Sequence, residues 1–220
     1  MVALQITSSQ RVFTAGRTGS GKTYFERYVL AGIQRLVALD PKGTLGRMAP
    51  EWNLEDWSDR GRRKLLAGEP VRLRVPPPPV DVGDDPRYWD TYIRDVYRAG
   101  NCILYLDEIY GVVPPGSKPP PSLTACYTRG RELGIGVHGC TQRPAWVPLF
   151  AMSEADWFFV FRLTLDEDRR RLASFMGASV MEPIKDRHGF LSYHVEWDEP
   201  IYTPQLIVRK ARAPKGQVRP

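Results

Sequence analysis

The stretch TAGRTGSGKTYFE, residues 14–26, restricts the fold more than any other part of the chain. Gly16, Gly21, Lys22 and Thr23 fit the spacing G-x-x-x-x-G-K-[ST], with Gly19 as a further glycine inside it. RVFTA, residues 11–15, is a short β-prone run before the glycines, and TYFERYVLAGI, residues 23–33, has helical apolar spacing after them. A glycine loop between strand and helix lets backbone N–H groups converge on phosphate, and the helix N-terminus adds a favourable dipole. In such a loop Lys22 reaches the β- and γ-phosphates of a nucleotide, and the Thr23 hydroxyl binds Mg²⁺. Residues Gly16, Arg17, Thr18, Gly19, Ser20, Gly21, Lys22 and Thr23 are therefore the expected nucleotide-binding loop.

The rest of the chain alternates in the same way. RLVALD (residues 35–40), VRLRV (71–75), CILYLDEIY (102–110), IGVHGCTQ (135–142) and ADWFFVFRL (155–163) read as strands. DRGRRKLLAG, DPRYWDTYIRDVYRAG, a segment reaching Glu132, and DEDRRRLASFM read as helices. The near-continuous apolar runs are what strands covered on both faces require. Strands alternating with helices imply an α/β fold: a mostly parallel sheet flanked by helices. FLSYHVEW, residues 190–197, suggests a late strand in a terminal β-hairpin extension. At 220 residues and 42% hydrophobic content the chain suits one domain with a sizeable core. The expected division is a single domain over 1–208, with its core at about 11–176, its extension at 177–208, and a basic tail at 209–220.

No apolar run approaches the ~20 residues of a membrane span, and no signal pattern opens the chain, so a cytoplasmic protein is expected. Cys102, Cys126 and Cys140 are odd in number and widely spaced, which favours buried free thiols over disulfides or a zinc site. A net charge of +6, carried by 24 Arg and 7 Lys against 25 acidic residues, permits a polyanionic partner without demanding one.

A phosphate loop needs a carboxylate at the end of a neighbouring buried strand, and ILYLDE supplies Asp107 and Glu108. Asp107 is the expected Mg²⁺ ligand beside Thr23, and Glu108 the group that polarises an attacking water. The same pair could instead cap the strand. In GCTQRP, Gln142 falls one strand further on, at the carboxyl edge where such sheets bind ligands, placed to touch both γ-phosphate and water.

GRTGSGKT, VALDPKG, ILYLDE and CTQRP, in this order, resemble the FtsK–HerA superfamily of DNA-pumping ATPases. Within it the chain is most similar to the genome-packaging ATPases of tailless, membrane-containing icosahedral viruses. The likeness covers residues 11–176, with LDPKG and TQRP its specific parts. It implies a RecA-like P-loop NTPase core that hydrolyses ATP with Mg²⁺ to translocate double-stranded DNA into a preformed capsid. It also implies a homo-oligomeric ring, commonly a hexamer, that meets a capsid vertex or membrane-associated viral proteins, cytoplasmic in the host and at the packaging vertex of the virion. Catalytic work would fall to Glu108, with Gln142 as sensor. Ring ATPases complete each site with an arginine from the neighbouring subunit, and Arg131, then Arg129, are the expected candidates, with Arg143 next. A DNA-transfer ATPase of conjugation or another mobile element is the alternative of the same superfamily; a non-motor P-loop NTPase is the alternative outside it.

Overall fold

Full burial of five consecutive strand residues, Arg11–Ala15, marks where the centre of the sheet lies. The computed structural model describes residues 6–83 and 85–205; the expected tail at 209–220 and the last residues of the expected extension lie outside the described residues. The first half of the chain runs β1 (Arg11–Ala15), α1 (Lys22–Val29), β2 (Arg35–Leu39), α2 (Leu45–Met48), β3 (Glu55–Asp56), α3 (Asp59–Leu66), β4 (Val71–Val75) and α4 (Pro86–Ala99). The second half runs β5 (Ile103–Leu106), α5 (Ile109–Val112), α6 (Pro121–Arg129), β6 (Gly136–Thr141), α7 (Leu149–Ser153), β7 (Trp157–Phe161), α8 (Asp166–Met176), β8 (Phe190–His194) and β9 (Ile201–Thr203).

Among the described residues one nine-stranded sheet forms in the order β3-β4-β2-β5-β6-β1-β7-β8-β9. Strands β1 to β7 pair in parallel, while β8 and β9 are antiparallel additions at one edge. The α/β fold and the terminal hairpin stand as the sequence suggested. β2, β5, β6, β1 and β7 have few or no accessible residues, while β4, near the edge, alternates buried and half-buried residues. Helix ends follow local chemistry. The Asp85 carboxylate accepts the Arg87 N–H at 2.9 Å, Pro86 opens α4, and Gly100 at φ 60° ends it.

The two faces of the sheet are covered unequally. On one, α1 brings Phe25 against Phe159, ring centroids 4.3 Å apart, and against Phe190 at 5.5 Å, while Trp52 meets Tyr105 edge-on at 5.1 Å. On the other, Leu65, Trp89, Ile93, Leu123 and Leu172, drawn from α3, α4, α6 and α8, bury the larger cluster. Each such side chain contributes roughly 1.5–3 kcal/mol by leaving water.

Two local readings change. The run at 102–110 is a strand only over Ile103–Leu106; Ile109 and Tyr110 begin α5. A short apolar run cannot by itself separate a buried strand from a buried helical turn. The helix expected to reach Glu132 ends at Arg129 and continues as a 3₁₀ turn over Gly130–Leu133, so Arg131 leaves the helix proper. The two-residue edge strand β3 is too short to show a periodicity in sequence.

All three cysteines are free and buried. Burial pushes the Cys102 thiol up to about 11 and Cys126 up to about 12. Because the thiolate is the reactive form, iodoacetamide at mildly alkaline pH should leave all three unlabelled in the folded protein and label all three in concentrated guanidinium. Rapid labelling of the native protein, read by mass spectrometry, would contradict this packing.

Candidate active site

Parallel strands end at one edge, so whatever follows them meets there. Gly16 N donates to Thr141 O at 3.1 Å, Asp107 N to Leu39 O at 3.1 Å, and Asp40 N to Val75 O at 2.9 Å. The sheet ladder thus runs one residue past β1, β5 and β2, setting the three loops side by side. They line a cleft of about 510 Å³ whose walls include Lys22, Thr23, Lys42, Asp107, Gln142 and His188.

The loop after β1 has the shape phosphate requires. Gly21 takes φ 109° at the N-cap of α1, a conformation closed to most side chains, and no acidic residue occupies the first turn. The helix N-terminus therefore keeps its positive end unopposed. Lys22 lies back over the loop, its Nζ donating to Gly16 O at 2.5 Å and Arg17 O at 3.2 Å, and burial holds its pKa down. The Ser20 hydroxyl donates to Arg17 O at 2.8 Å.

DPKG, residues 40–43, forms the facing loop. The fully buried Asp40 carboxylate accepts N–H from Thr44 and Leu45, both at 3.0 Å, and so caps the entry to α2. Pro41 packs on α5, where a Cβ at Gly111 would stand 2.8 Å from the Pro41 ring. The contact sets Lys42 beside Glu108, with Nζ 3.0 Å from Oε2. Burial works against the Lys42 charge, and the Glu108 carboxylate more than offsets it, leaving the lysine pKa raised.

Asp107 and Glu108 close β5. Tyr105 donates to Asp107 Oδ1 at 3.2 Å, and burial pushes both carboxyls above their ordinary range. Glu108 is 1% exposed and stands just behind the wall made by Lys42 and Gln142. Its other oxygen accepts the Gln142 N–H at 3.2 Å, and the Gln142 side chain accepts the Thr18 hydroxyl at 2.7 Å. Among the described residues no cluster of three or more His, Cys, Asp or Glu has metal-binding geometry. Mg²⁺ does not need one, since it keeps several waters and takes one or two protein oxygens beside phosphate. Thr23 and Asp107, lining the same cleft, are a donor set of that hard, oxygen-only kind.

The structure thus brings residues 16–23, Asp107, Glu108 and Gln142 together. It does not bring Arg129 or Arg131 to them. Both precede β6 and lie towards the opposite edge of the sheet, where Arg131 pairs with Asp156 and the Arg129 guanidinium sits 5.9 Å from the Tyr97 ring centre. Arg143 follows Gln142, pairs with Asp168 at 3.0 Å and lies 4.1 Å over Trp146. Sequence reasoning gave no role to Lys42, although it follows a buried strand at the same edge as Asp107. It also missed His188, which comes from the loop before β8 to within 3.5 Å of Ser20 O and has no local signature.

Fold and site together define a P-loop NTPase with a RecA-like core. No protein-family model matches the chain. It is 29% identical over 173 residues to the DNA packaging ATPase P9 of Enterobacteria phage PRD1, covering 76% of this chain and 70% of that protein. The genome packaging NTPase B204 of Sulfolobus turreted icosahedral virus 2, solved with ATPγS, superposes with a TM-score of 0.73 at 17% identity, covering 92% of this chain and all of that one. The pCW3 conjugation coupling protein TcpA gives 0.55 at 15% identity, over 89% of this chain and 59% of that one. The likeness carried by the four motifs, to the FtsK–HerA superfamily and within it to viral genome-packaging ATPases, is borne out.

The contact between DPKG and α5 generates a stability prediction. In Gly111→Val the added atoms meet the rigid Pro41 ring, which should cost about 1–3 kcal/mol in urea unfolding. Gly32→Ala, placed where nothing lies within 4 Å, is the neutral control. Equal midpoints for the two variants would mean the loops are not in contact.

Proposed function

We propose that this chain is an ATP-hydrolysing motor that drives double-stranded DNA into a preformed viral capsid. One observation carries the hydrolytic part: Gln142 meets both the phosphate loop and the carboxylate, its side-chain oxygen accepting the Thr18 hydroxyl at 2.7 Å and its backbone N–H donating to Glu108 at 3.2 Å. Phosphate loop, sensor residue and base are thereby linked through one residue. The 173-residue likeness to a phage DNA packaging ATPase supports the packaging part. A conjugation coupling protein shares the fold, but the sequence likeness is to the packaging ATPase, and that supports the packaging reading over the other.

In this reading the amides of residues 16–23 and the positive end of α1 bind the triphosphate, and Lys22 neutralises its β- and γ-oxygens. Thr23 and Asp107 would hold Mg²⁺, which would supply positive charge to offset that of the phosphates. Glu108 takes a proton from water as the water oxygen bonds to the γ-phosphorus; the bond to the β,γ-bridging oxygen breaks, leaving ADP and phosphate. Gln142 senses whether the γ-phosphate is present. The working form is a homo-oligomeric ring, a hexamer, that meets proteins of the capsid vertex. Arg131, with Arg129 as its alternative, would neutralise phosphoryl charge in a neighbouring subunit. Residues 1–208 form the one ATPase domain and 209–220 a basic tail. Among the described residues no helix is long and apolar enough to cross a membrane.

Lys22→Ala should abolish ATP turnover with little change in thermal unfolding. Glu108→Gln should still bind Mg-ATP yet turn over roughly 10²–10⁴-fold more slowly, because an amide cannot accept the proton. Normal turnover by either variant removes this site from the chemistry.

A motor must accept any sequence, so phosphate contacts should dominate DNA binding. Affinity for unrelated duplexes should be similar and fall with log salt at a slope near −0.9 per phosphate contact, and DNA should stimulate ATPase activity. Tight preference for one short duplex at fixed salt would count against a translocase.

A further inference from the structure

Lys42 is a charged group on the cleft wall, as are Arg17 and Arg27, that the proposed chemistry leaves without a task, and it alone of the three meets Glu108. Its ammonium touches the cleft on one side and Glu108 on the other, and its side chain is 36% exposed against 1% for the carboxylate it meets. We propose that Lys42 is a positioning residue for hydrolysis, fixing the Glu108 carboxylate in the orientation from which it accepts the water proton. The proposal deepens the ATPase reading and rests on it.

Glu108 has donors on both oxygens. Lys42 Nζ holds Oε2 at 3.0 Å and the Gln142 N–H holds Oε1 at 3.2 Å. The second donor directly follows β6 and is fixed by the sheet. Alone it engages one oxygen of the carboxylate and leaves the group free to rotate about its terminal torsion, which is broad in glutamate. Lys42 supplies the opposing contact and the positive charge that a carboxylate at 1% exposure needs.

The lysine is itself aimed. Asp40 caps α2 with both oxygens, Gly43 N closes a turn onto Asp40 O at 3.1 Å, and Pro41 abuts Gly111 one turn beyond Glu108. Each residue of DPK therefore serves one end: a cap, a spacer against α5, and an ammonium at the base. Lys42 cannot replace Lys22 in the phosphate loop, because Lys22 already lies on the loop carbonyls of Gly16 and Arg17. Two lysines, one for the phosphates and one for the base, divide the work of the cleft.

The test is steady-state ATP turnover by Lys42→Met, Lys42→Arg and the wild type, with nucleotide affinity measured separately by a fluorescent ATP analogue. Misplacing a reacting group by an ångström can cost about 10²-fold, so kcat of Lys42→Met should fall on that order. KM and analogue affinity should stay within about threefold, the pattern of an interaction that acts on chemistry and not on binding. Lys42→Arg, which keeps the charge within reach of Oε2, should recover most of the loss. In a Glu108→Gln background Lys42→Met should add no more than about twofold, since the lysine acts through the base. Lys42→Gln stands in if thermal melting shows Lys42→Met unfolded.

Wild-type or raised kcat in Lys42→Met overturns the proposal. So does a parallel loss of kcat and analogue affinity, which would make Lys42 a phosphate ligand, and so does a further large loss in the Glu108→Gln background. Lys22→Ala and Glu108→Gln are run beside these variants. If both hydrolyse ATP normally, this cleft is not where ATP is hydrolysed, the proposed active site fails and the Lys42 assignment falls with it. If both are inactive while Lys42→Met is not, only the assignment of Lys42 is wrong.

Discussion

Charge held out of water at one edge of the sheet is the constraint on which the rest depends. Asp40 is fully buried, Asp107 is 8% exposed and Glu108 1%, and each would be costly without a partner. The sheet meets the cost by construction. Parallel strands β1, β2, β5 and β6 end at one edge, so their loops deliver compensating groups to one place. Asp40 is satisfied by amides of the helix it caps, Asp107 by the Tyr105 hydroxyl, and Glu108 by Lys42 and the end of β6. Move one strand by a residue and a carboxylate loses its partner. Packing beneath the edge is correspondingly tight: a Cβ at Gly139 would come within 2.8 Å of Ile109 and 2.9 Å of the Tyr127 hydroxyl. Shape in the core and charge at the rim therefore specify the same register.

Much of this edge was legible because its chemistry is local in sequence. Residues 16–23 declare their loop through glycine spacing, and a buried apolar run ending in Asp107–Glu108 declares a carboxylate at a strand end. Gln142 required the further step of placing β6 beside β5, which alternating strands and helices allow. Lys42 and His188 were not legible, for different reasons. Lys42 follows a strand in the same manner as Asp107, but only the crossing of the DPKG loop onto α5 shows that it reaches Glu108. His188 enters from a segment 166 positions after Lys22, carried by an antiparallel strand whose register no local pattern fixes. Arg131 lies away from its own subunit's cleft for a topological reason: proximity to β6 in sequence puts a residue at the start of the strand, and the cleft is at its end.

That last point bears on how a change at the nucleotide could leave the site. β6 is buried throughout, bonded to β1 and β5 along its length, and fastened at both ends. At the carboxyl end Thr141 O accepts the Gly16 N–H. At the amino end the Asp156 carboxylate joins the Arg11 N–H, at 2.7 Å, to the Arg131 guanidinium. A close-packed strand held in this way has little room to deform. The chain that follows Gln142 is fastened to α8. There Arg143 stacks on Trp146 and pairs with Asp168 and Glu167 at the start of α8, while the Ala145 N–H donates to Asp168 at 3.0 Å. Gln142 is thus tied to α8 through its neighbouring residue, while Arg131 lies at the far end of a buried strand. Of the three arginines named, Arg143 is the one that directly follows Gln142 and pairs with α8.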